Sequence, residues 1–239
     1  MRSLKLRRVL PVLLRKSLIF LNCIFLIVVI LFTSLLIHVF NLDYYVKLFE
    51  ENRVFDNLDR EDAIILTVSI FDLFKHGKEI EKIELKNNGR FFTEEEISHL
   101  YDVRTLLRKI FVSYYSCVIL IVLCLPFLFE KSLWHFIKNL GQIFTLASSI
   151  VLGLGGLLYF LSRNFGVLFE NFHLIFFPQG NYAFPEDSLI ITLFPEGFFY
   201  SFFKRLVVET LILSVVFFVL GMAGINIPLI FRPANTPKK

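Results

Sequence analysis

Two of the five histidines in this chain of 239 residues have neighbours suited to acid–base chemistry. The first is His99, in the segment TEEEISHLYDVR. Glu95 and Glu96 precede it by four and three residues, and Asp102 follows it by three. Residues at these separations are neighbours on one face of a helix. A carboxylate beside an imidazole orients the ring, selects its tautomer and makes it a better base.

The second is His173, in the segment NFHLIFFPQGNYAF, residues 171–184. This segment is too apolar for an ordinary exposed loop, and Pro178 and Gly180 interrupt it too early for a membrane span. Glu170 precedes the histidine by three residues. The imidazole of His173, held among phenylalanines, is therefore a second candidate acid or base.

Each histidine also has a structural explanation. His99 could be a surface residue of a helix that carries salt bridges, and His173 could be a buried, hydrogen-bonded core residue. A zinc ion held by both imidazoles and a carboxylate is a further alternative. Spacing alone leaves all of these readings open.

The sequence has none of the common motifs for covalent or nucleotide chemistry. There is no G-x-S-x-G, no H-E-x-x-H, no phosphate-binding loop and no G-x-G-x-x-G after a strand. The three cysteines, Cys23, Cys117 and Cys124, lie in apolar segments. Histidines can still catalyse acyl transfer if the substrate supplies the nucleophile and the protein supplies a base, a proton donor and dipoles. At the level of the lipid headgroups, the substrate would be a lipid ester or a lipidated chain.

The composition predicts a membrane protein. Hydrophobic residues make up 56% of the chain, with 30 phenylalanines, and the mean hydropathy is +0.67. Soluble domains are usually less apolar. Four apolar segments are long enough to cross a bilayer, and these are residues 18–40, 110–129, 143–161 and 206–230. The sequence therefore predicts an all-α membrane protein, a four-transmembrane-helix bundle.

Basic residues predict the orientation of this bundle. Six bases and no acid precede the first span: Arg2, Lys5, Arg7, Arg8, Arg15 and Lys16. The positive-inside rule then puts both termini, the turn 130–141 and the tail 231–239 in the cytoplasm. Loops 41–106 and 163–204 become extracytoplasmic, where nucleotide cofactors are not supplied, so no cofactor is expected. We interpret the basic run as a topology signal beside anionic lipid, with no role in binding nucleic acid.

Local patterns predict the structure of the first outer loop. Residues 59–77 have the apolar spacing of a helix, with Asp59 as its N-cap, and residues 78–92 indicate a short hairpin. Thr93 and Glu96 form a capping box, S/T-x-x-E, which marks the start of a helix. We expect that helix to run without a break into the second span.

The second outer loop, 163–204, is rich in aromatic residues and carries three prolines. We expect an irregular, re-entrant segment that folds over the outer mouth of the bundle and forms the wall of a pocket at the lipid level. In the third span, Ser149 and Gly153 are a pair of small residues four positions apart, which predicts close packing of helices there.

Two motifs in these loops resemble those of the bacterial lipoprotein intramolecular transacylase family. The first, E-x-x-H-[LM]-x-D-V, precedes the second span and matches residues 96–103. The second, F-H-x-x-F-F-x-x-G-N-[WY]-x-F, follows the third span and matches residues 172–184, and P-E-x-F-[FWY] matches residues 195–199. The resemblance implies four spans in the bacterial cytoplasmic membrane. It also implies two extracytoplasmic loops that form a cap or bowl at the outer leaflet and hold the active site.

The resemblance also implies an activity. The family moves the sn-2 acyl chain of a diacylglyceryl-modified N-terminal cysteine to the α-amino group of the same cysteine, which gives a lyso-form lipoprotein. The expected partners are diacylglyceryl-modified lipoproteins and membrane lipid, with no metal and no cofactor. His99 and His173 correspond to the family's two histidines. We interpret His99 as the base and His173 as the proton donor, and the sequence does not exclude the reverse.

Other residues are expected to support this pair. Orienting or electrostatic roles are expected for four residues: Asp102, Glu96, Arg104 and Asn181. Contact with the substrate is expected for five aromatic residues: Phe172, Phe176, Phe177, Tyr182 and Phe184. Two classes of alternative function stay open, a non-enzymatic membrane protein that binds or assembles lipids or lipoproteins, and a metal-dependent lipid hydrolase or metal transporter.

Overall fold

The computed structural model describes residues 11–80, 92–129 and 133–230, of which the last four are described for their backbone only. Within these ranges the regular structure is helical and contains no strand. The α-helices are α1 (Val12–His38), α2 (Leu42–Glu51), α3 (Arg60–His76), α4 (Glu94–Leu128), α5 (Leu133–Leu161), α6 (Phe165–Phe176), α7 (Leu189–Leu193) and α8 (Glu196–Ile230). The expected hairpin at 78–92 lies largely outside the described residues.

Four helical stretches are long and apolar enough to cross a membrane, which confirms the predicted all-α class with four spans. They are Val12–His38, Glu94–Leu128, Leu133–Phe176 and Glu196–Asn226. The helices are longer than the predicted apolar segments because polar residues continue them at their ends. α4 begins at Glu94, well before the apolar run that starts at Ile110, and it continues unbroken as predicted.

The first of two compact units contains the described residues within 1–33, 113–156 and 209–239. Its buried core is formed by Cys23, Leu26, Ile30, Leu128, Ile143, Ala147 and Val151. Other large apolar side chains of the same helices are exposed, among them Ile119 and Val219. An apolar exterior is what lipid tails require of a spanning helix.

Glycines bring α5 and α8 into close contact within this unit. A Cβ atom on Gly141 would lie 2.7 Å from the Gly221 carbonyl oxygen, and one on Gly221 would lie 2.6 Å from Thr145 N. The contact predicted at Ser149 and Gly153 is not found among the described residues, because a Cβ on Gly153 would meet no atom within 4 Å. The Ser149 hydroxyl donates to Thr145 O of its own helix, so it makes no link between helices in this contact.

The second compact unit contains the described residues within 34–112 and 157–208. Its core is aromatic, with the Phe198 ring 5.3 Å from Tyr45 and 5.4 Å from Phe49 between centroids. Aromatic pairs in such geometry contribute about 0.5–1.5 kcal/mol beyond the area they bury. Three fully buried leucines from α2, α3 and α7 complete this core: Leu48, Leu73 and Leu193.

The predicted helix at 59–77 is confirmed as α3. The Asp59 side chain accepts hydrogen bonds from Glu61 N at 2.9 Å and Asp62 N at 3.4 Å, as an N-cap should. Gly77 ends the helix with φ +71°, a left-handed conformation that favours glycine.

The second outer loop is more helical than the irregular segment that we predicted. α5 continues through a short 3₁₀ turn, Ser162–Asn164, into α6, and His173 lies in the last turn of α6. Pro178 disfavours the helical conformation at Phe177, the residue that precedes it. It therefore leaves residues 165–176 free to form a helix. The chain leaves the helix at Phe177 and turns at Gly180, whose φ is +80°.

Candidate active site

The start of α4 is fixed by the predicted capping box. Thr93 N donates to Glu96 Oε2 at 2.6 Å, and Glu96 N donates to Thr93 Oγ1 at 3.2 Å. The other carboxylate oxygen, Oε1, accepts from Ile190 N at 2.8 Å. Glu96 is only 1% exposed, and both of its oxygens are bound to backbone N–H groups. It therefore joins α4 to α7, and its hydrogen bonds do not reach His99 one turn further on.

The two candidate histidines come together between α4 and α6. The rings of His99 and His173 lie 5.9 Å apart between centroids, at an interplanar angle of 27°. The two residues are 7% and 8% exposed. The two imidazoles therefore lie side by side in one buried environment.

His173 has a defined orientation. Its Nδ1 lies 2.7 Å from the carbonyl oxygen of Phe169. A carbonyl oxygen can only accept, so Nδ1 carries the proton and donates it. In the neutral ring, Nε2 is then the unprotonated nitrogen. Sequence reasoning missed Phe169, although it lies four residues before His173 on the same helix face.

His99 has an unpaired nitrogen. Its Nδ1 is buried and has no hydrogen-bond partner among the described residues. Leaving a buried polar atom unpaired costs about 1–3 kcal/mol. Such atoms are uncommon and often mark functional sites.

Aromatic rings surround this pair. Phe177 and Phe184 lie 4.8 and 5.6 Å from the His99 ring, and Tyr182 lies 4.9 Å from the His173 ring. Phe177 is buried, at 2% exposure. Phe172 lies 5.5 Å from His173 and contacts Phe176 at 4.8 Å, and these two side chains are 41% and 48% exposed. The predicted aromatic residues therefore form both an inner wall and an outer apolar surface.

Asp102 binds the loop that follows α6. Its Oδ2 accepts from Gln179 Nε2 and from Asn181 Nδ2, each at 2.7 Å. The same Asn181 nitrogen lies 3.3 Å from Ser98 Oγ. The helix spacing correctly placed Asp102 near His99, but its hydrogen bonds go to the loop. Gln179 and Ser98 were missed, because nothing in their local sequence indicates a partner so distant along the chain.

Arg104 is not brought to the histidine pair. Its guanidinium lies against Gly77, where a Cβ atom would be 2.5 Å from Nη2. Gly77 is the C-cap of α3, and cations are favourable at a helix C-terminus. This contact favours a structural role for Arg104.

Both histidines lie outside the predicted spans 110–129 and 143–161. His99 precedes Arg108 and Lys109, and the apolar run of α4 begins only after these charges. His173 lies near the end of the 44-residue stretch Leu133–Phe176. That stretch is about twice as long as a bilayer crossing of roughly 20 residues requires.

Burial shifts the titration of both rings. Desolvation, together with repulsion from His173, lowers the pKa of His99 below its ordinary value, and the carboxylate of Asp102 opposes this shift only in part. Desolvation also lowers the pKa of His173, against the effect of its bond to Phe169. Both imidazoles are therefore neutral near pH 7, where a neutral imidazole can accept a proton.

The described residues do not provide a set of ligands for the zinc site that the sequence left open. Among residues 11–80, 92–129 and 133–230, no three histidine, cysteine, aspartate or glutamate side chains are grouped as metal ligands. Two of the three carboxylates that spacing placed near His99 bind other groups: Glu96 binds backbone N–H groups and Asp102 binds side-chain amides.

Comparisons with known proteins concern the family and the fold of this chain. Residues 20–199 match the family of the lipoprotein intramolecular transacylase Lit. An uncharacterized protein of Aquifex aeolicus (strain VF5) is 29% identical over 150 residues, which are 62% of this chain and 61% of the relative, so the match spans less than two thirds of that protein. The in meso structure of the membrane integral lipoprotein intramolecular transacylase Lit from Bacillus cereus has the same fold. Its TM-score is 0.76 at 15% identity, over 91% of this chain and 98% of that chain.

Proposed function

The chain belongs to the lipoprotein intramolecular transacylase family, and from this premise we propose that it moves an acyl chain within a bacterial lipoprotein. The substrate would carry a diacylglyceryl group on its N-terminal cysteine. The sn-2 chain would move from the glycerol oxygen to the α-amino group of the cysteine. The buried pair of imidazoles, His99 and His173, is the observation that carries this proposal.

His173 is the better base of the two. Its Nδ1–H is held by Phe169 O, so Nε2 presents a lone pair. The substrate's ammonium group first releases one proton to solvent, which leaves a neutral amine. Nε2 takes a second proton from this amino group, whose nitrogen forms a bond to the sn-2 ester carbonyl carbon. The resulting imidazolium then returns the proton from Nε2 to the glycerol oxygen as the ester bond breaks. The same ring thus acts first as base and then as acid.

His99 suits a different task. Of the two rings, it has the additional repulsion from its neighbour, and its buried Nδ1 has no partner in the described structure. With the proton on Nδ1, a neutral imidazole can donate a hydrogen bond to the oxygen that becomes negative in the tetrahedral intermediate. This assignment reverses the roles that we first gave to the two histidines.

The aromatic wall would protect the ester from water. Phe177, Phe184 and Tyr182 lie within 5.6 Å of one or the other imidazole ring. An apolar enclosure holds acyl chains and excludes the water that would hydrolyse the ester. The exposed rings of Phe172 and Phe176 would contact the chains on their way in from the membrane.

We propose the membrane orientation from the charges in the sequence. The segments 18–40, 110–129, 143–161 and 206–230 would cross the bacterial cytoplasmic membrane, with both termini in the cytoplasm. Loops 41–106 and 163–204, and therefore the histidine pair, would lie on the extracytoplasmic face. Labelling of single cysteines introduced at the exposed residues Lys75 and Glu186 by a membrane-impermeant reagent on intact cells tests this orientation.

Substrate and product are isomers, so the decisive experiment must separate ester from amide. A reporter lipoprotein is produced with and without this protein in cells that make only the diacylglyceryl form. Its N-terminal peptide is treated with mild alkali and weighed. Alkali releases every ester-linked chain, so the substrate retains no acyl chain and the product retains one, on nitrogen.

His99→Gln and His173→Gln should each lower the N-acylated fraction about 100-fold or more, since acid–base catalysis typically contributes 10²–10⁴. The matched control is His76→Gln, because His76 is an exposed residue in the last turn of α3. Full activity in either active-site variant, at equal protein level, would refute the assignment. No N-acylated peptide with the unaltered protein would instead favour a binding or assembly role.

A further inference from the structure

Beside the histidine pair, the side chains of Asp102, Asn181, Gln179 and Ser98 form a polar cluster whose hydrogen bonding is incomplete. The cluster joins α4 to the turn at 178–181 through three hydrogen bonds. Neither of the two imidazoles takes part in these bonds. The donors and acceptors that are left over define what the cluster can still bind.

The carboxamide of Asn181 has one orientation only. A carboxylate accepts and does not donate, so the group 2.7 Å from Asp102 Oδ2 must be the amide nitrogen. Its second hydrogen points to Ser98 Oγ, 3.3 Å away. The amide oxygen is buried and has no hydrogen-bond partner in the described part of the chain. This oxygen can therefore accept a hydrogen bond from a bound ligand.

Among the described residues, Asp102 has no cationic partner. Its hydrogen-bond donors among the described residues are two neutral amides, and both bind Oδ2. Oδ1 receives no hydrogen bond from these residues. The nearest base along the helix, Arg104, turns instead to Gly77. A half-buried carboxylate is stabilised by a positive charge, and the described residues supply none here.

The group that satisfies both atoms carries several N–H donors and a positive charge. We infer that Asp102 and Asn181 form the subsite for the substrate's α-ammonium group, with Asp102 Oδ1 and Asn181 Oδ1 as its acceptors. This inference rests on the proposed function. Asn181 precedes Tyr182, whose ring lies on His173, and Asp102 lies one helical turn after His99. The subsite is thus adjacent to both rings, and it would hold the nitrogen where its proton can be removed.

The subsite also separates substrate from product. The free amino group of the substrate is protonated near pH 7, since an ordinary α-amino group has a pKa of about 7.7–8.0. Acyl transfer converts it to an amide, which has no charge and only one N–H. The product therefore loses the attraction of Asp102 and one hydrogen bond, and both losses favour its release.

Two synthetic probes test the subsite without catalysis. Both are short peptides with a dialkyl-ether glyceryl group on the N-terminal cysteine, so neither has an ester to transfer. One probe keeps the α-amino group and the other has hydrogen in its place. Affinities for the detergent-solubilised full chain are measured at pH 7 by calorimetry. The unaltered protein should bind the amino probe about ten-fold more tightly or better, as expected for a charge-assisted hydrogen bond.

Variants then test whether Asp102 and Asn181 cause the tighter binding of the amino probe. Asp102→Asn and Asn181→Ala should each lower the ratio of the two affinities towards one, while binding of the deamino probe stays unchanged and shows that the site is folded. Asp72→Asn is the control, because Asp72 is an exposed carboxylate paired with Lys78. Equal affinities for both probes in the unaltered protein would overturn the subsite and leave the proposed function intact. Failure to bind either probe would overturn both.

Discussion

Ile190 N donates a hydrogen bond to Glu96 Oε1 at 2.8 Å, across 94 residues of sequence. The bond connects the first turn of α4 to α7, and the same carboxylate also caps α4 through Thr93. His99 lies one turn further along the same helix. The position of its imidazole therefore depends on a buried carboxylate that does not contact it.

Replacing Glu96 with glutamine should weaken this connection. The glutamine amide can accept one backbone N–H through its oxygen, but its NH₂ group then faces the second backbone donor. One buried N–H is left unpaired, at a cost of about 1–3 kcal/mol. We expect the melting temperature in detergent to fall by several degrees. Glu50→Gln, at an exposed carboxylate that pairs with Arg60, is the control and should change the melting temperature by much less. Equal shifts in the two variants would show that the buried bonds are not important.

Acid should destabilise the fold through the buried imidazoles. Their pKa values are lowered in the folded chain, whereas an unfolded histidine titrates near pH 6.5. Between these values the unfolded chain binds protons that the folded chain does not, so stability falls as the pH drops below about 6.5. The loss is at most about 1.4 kcal/mol for each histidine at one pH unit below 6.5.

The test compares melting temperatures at pH 7.5 and 5.5. His99→Gln removes one of the two groups, so its melting temperature should differ less between these pH values than that of the unaltered protein. His76→Gln, at an exposed position, should keep the full difference. If all three proteins respond alike to acid, other groups determine the pH dependence.

The rate of N-acylation should depend on a flat aromatic ring at position 182 in the wall of the site. The Tyr182 ring lies 4.9 Å from the His173 ring, and aromatic contacts contribute about 0.5–1.5 kcal/mol. Tyr182→Ala should therefore lower the rate of N-acylation roughly three- to ten-fold, whereas Tyr182→Trp keeps a flat ring and should stay near the original rate. Tyr159→Ala serves as control, because Tyr159 is 47% exposed. The initial rate of appearance of alkali-stable acyl peptide measures this, and equal rates for Tyr182→Ala and Tyr182→Trp would argue against the contact.

Local features of the sequence predicted much of the structure. The N-cap Asp59 and the capping box at Thr93 act within three residues of themselves, so their geometry follows from sequence alone. The continuity of α4 follows too, because no glycine or proline interrupts residues 94–125. The pairing of His99 with His173 is not local. It was indicated by the placement of both outer loops on one membrane face and by the resemblance of two motifs to one family.

The hydrogen-bond partners of Asp102 could not be predicted from the sequence. Spacing put Asp102 on the same helix face as His99, but it could not show that Gln179 and Asn181 would occupy its oxygen. Likewise, small residues marked α5 as a packing helix, but the close contacts with α8 are made at Gly141 and Gly155 and not at Gly153. Which of several small residues faces a neighbour depends on the rotation of the helix, and local composition does not specify that rotation.

The contact between α5 and α8 offers a matched pair of substitutions. A Cβ atom on Gly221 would lie 2.5 Å from Thr145 Oγ1 and 2.6 Å from Thr145 N, and the backbone atom cannot move aside without shifting the helix. Overpacking of this kind typically costs about 1–3 kcal/mol. Gly153 lies in the same pair of helices in open space, and alanine there gains up to about 1 kcal/mol of helix propensity. Gly221→Ala should therefore lower the melting temperature by several degrees in a fluorescence scan, and Gly153→Ala should leave it unchanged or raise it. If the melting temperature falls by a similar amount in both variants, the glycines contribute flexibility to the spans, and the close contact at Gly221 is unimportant.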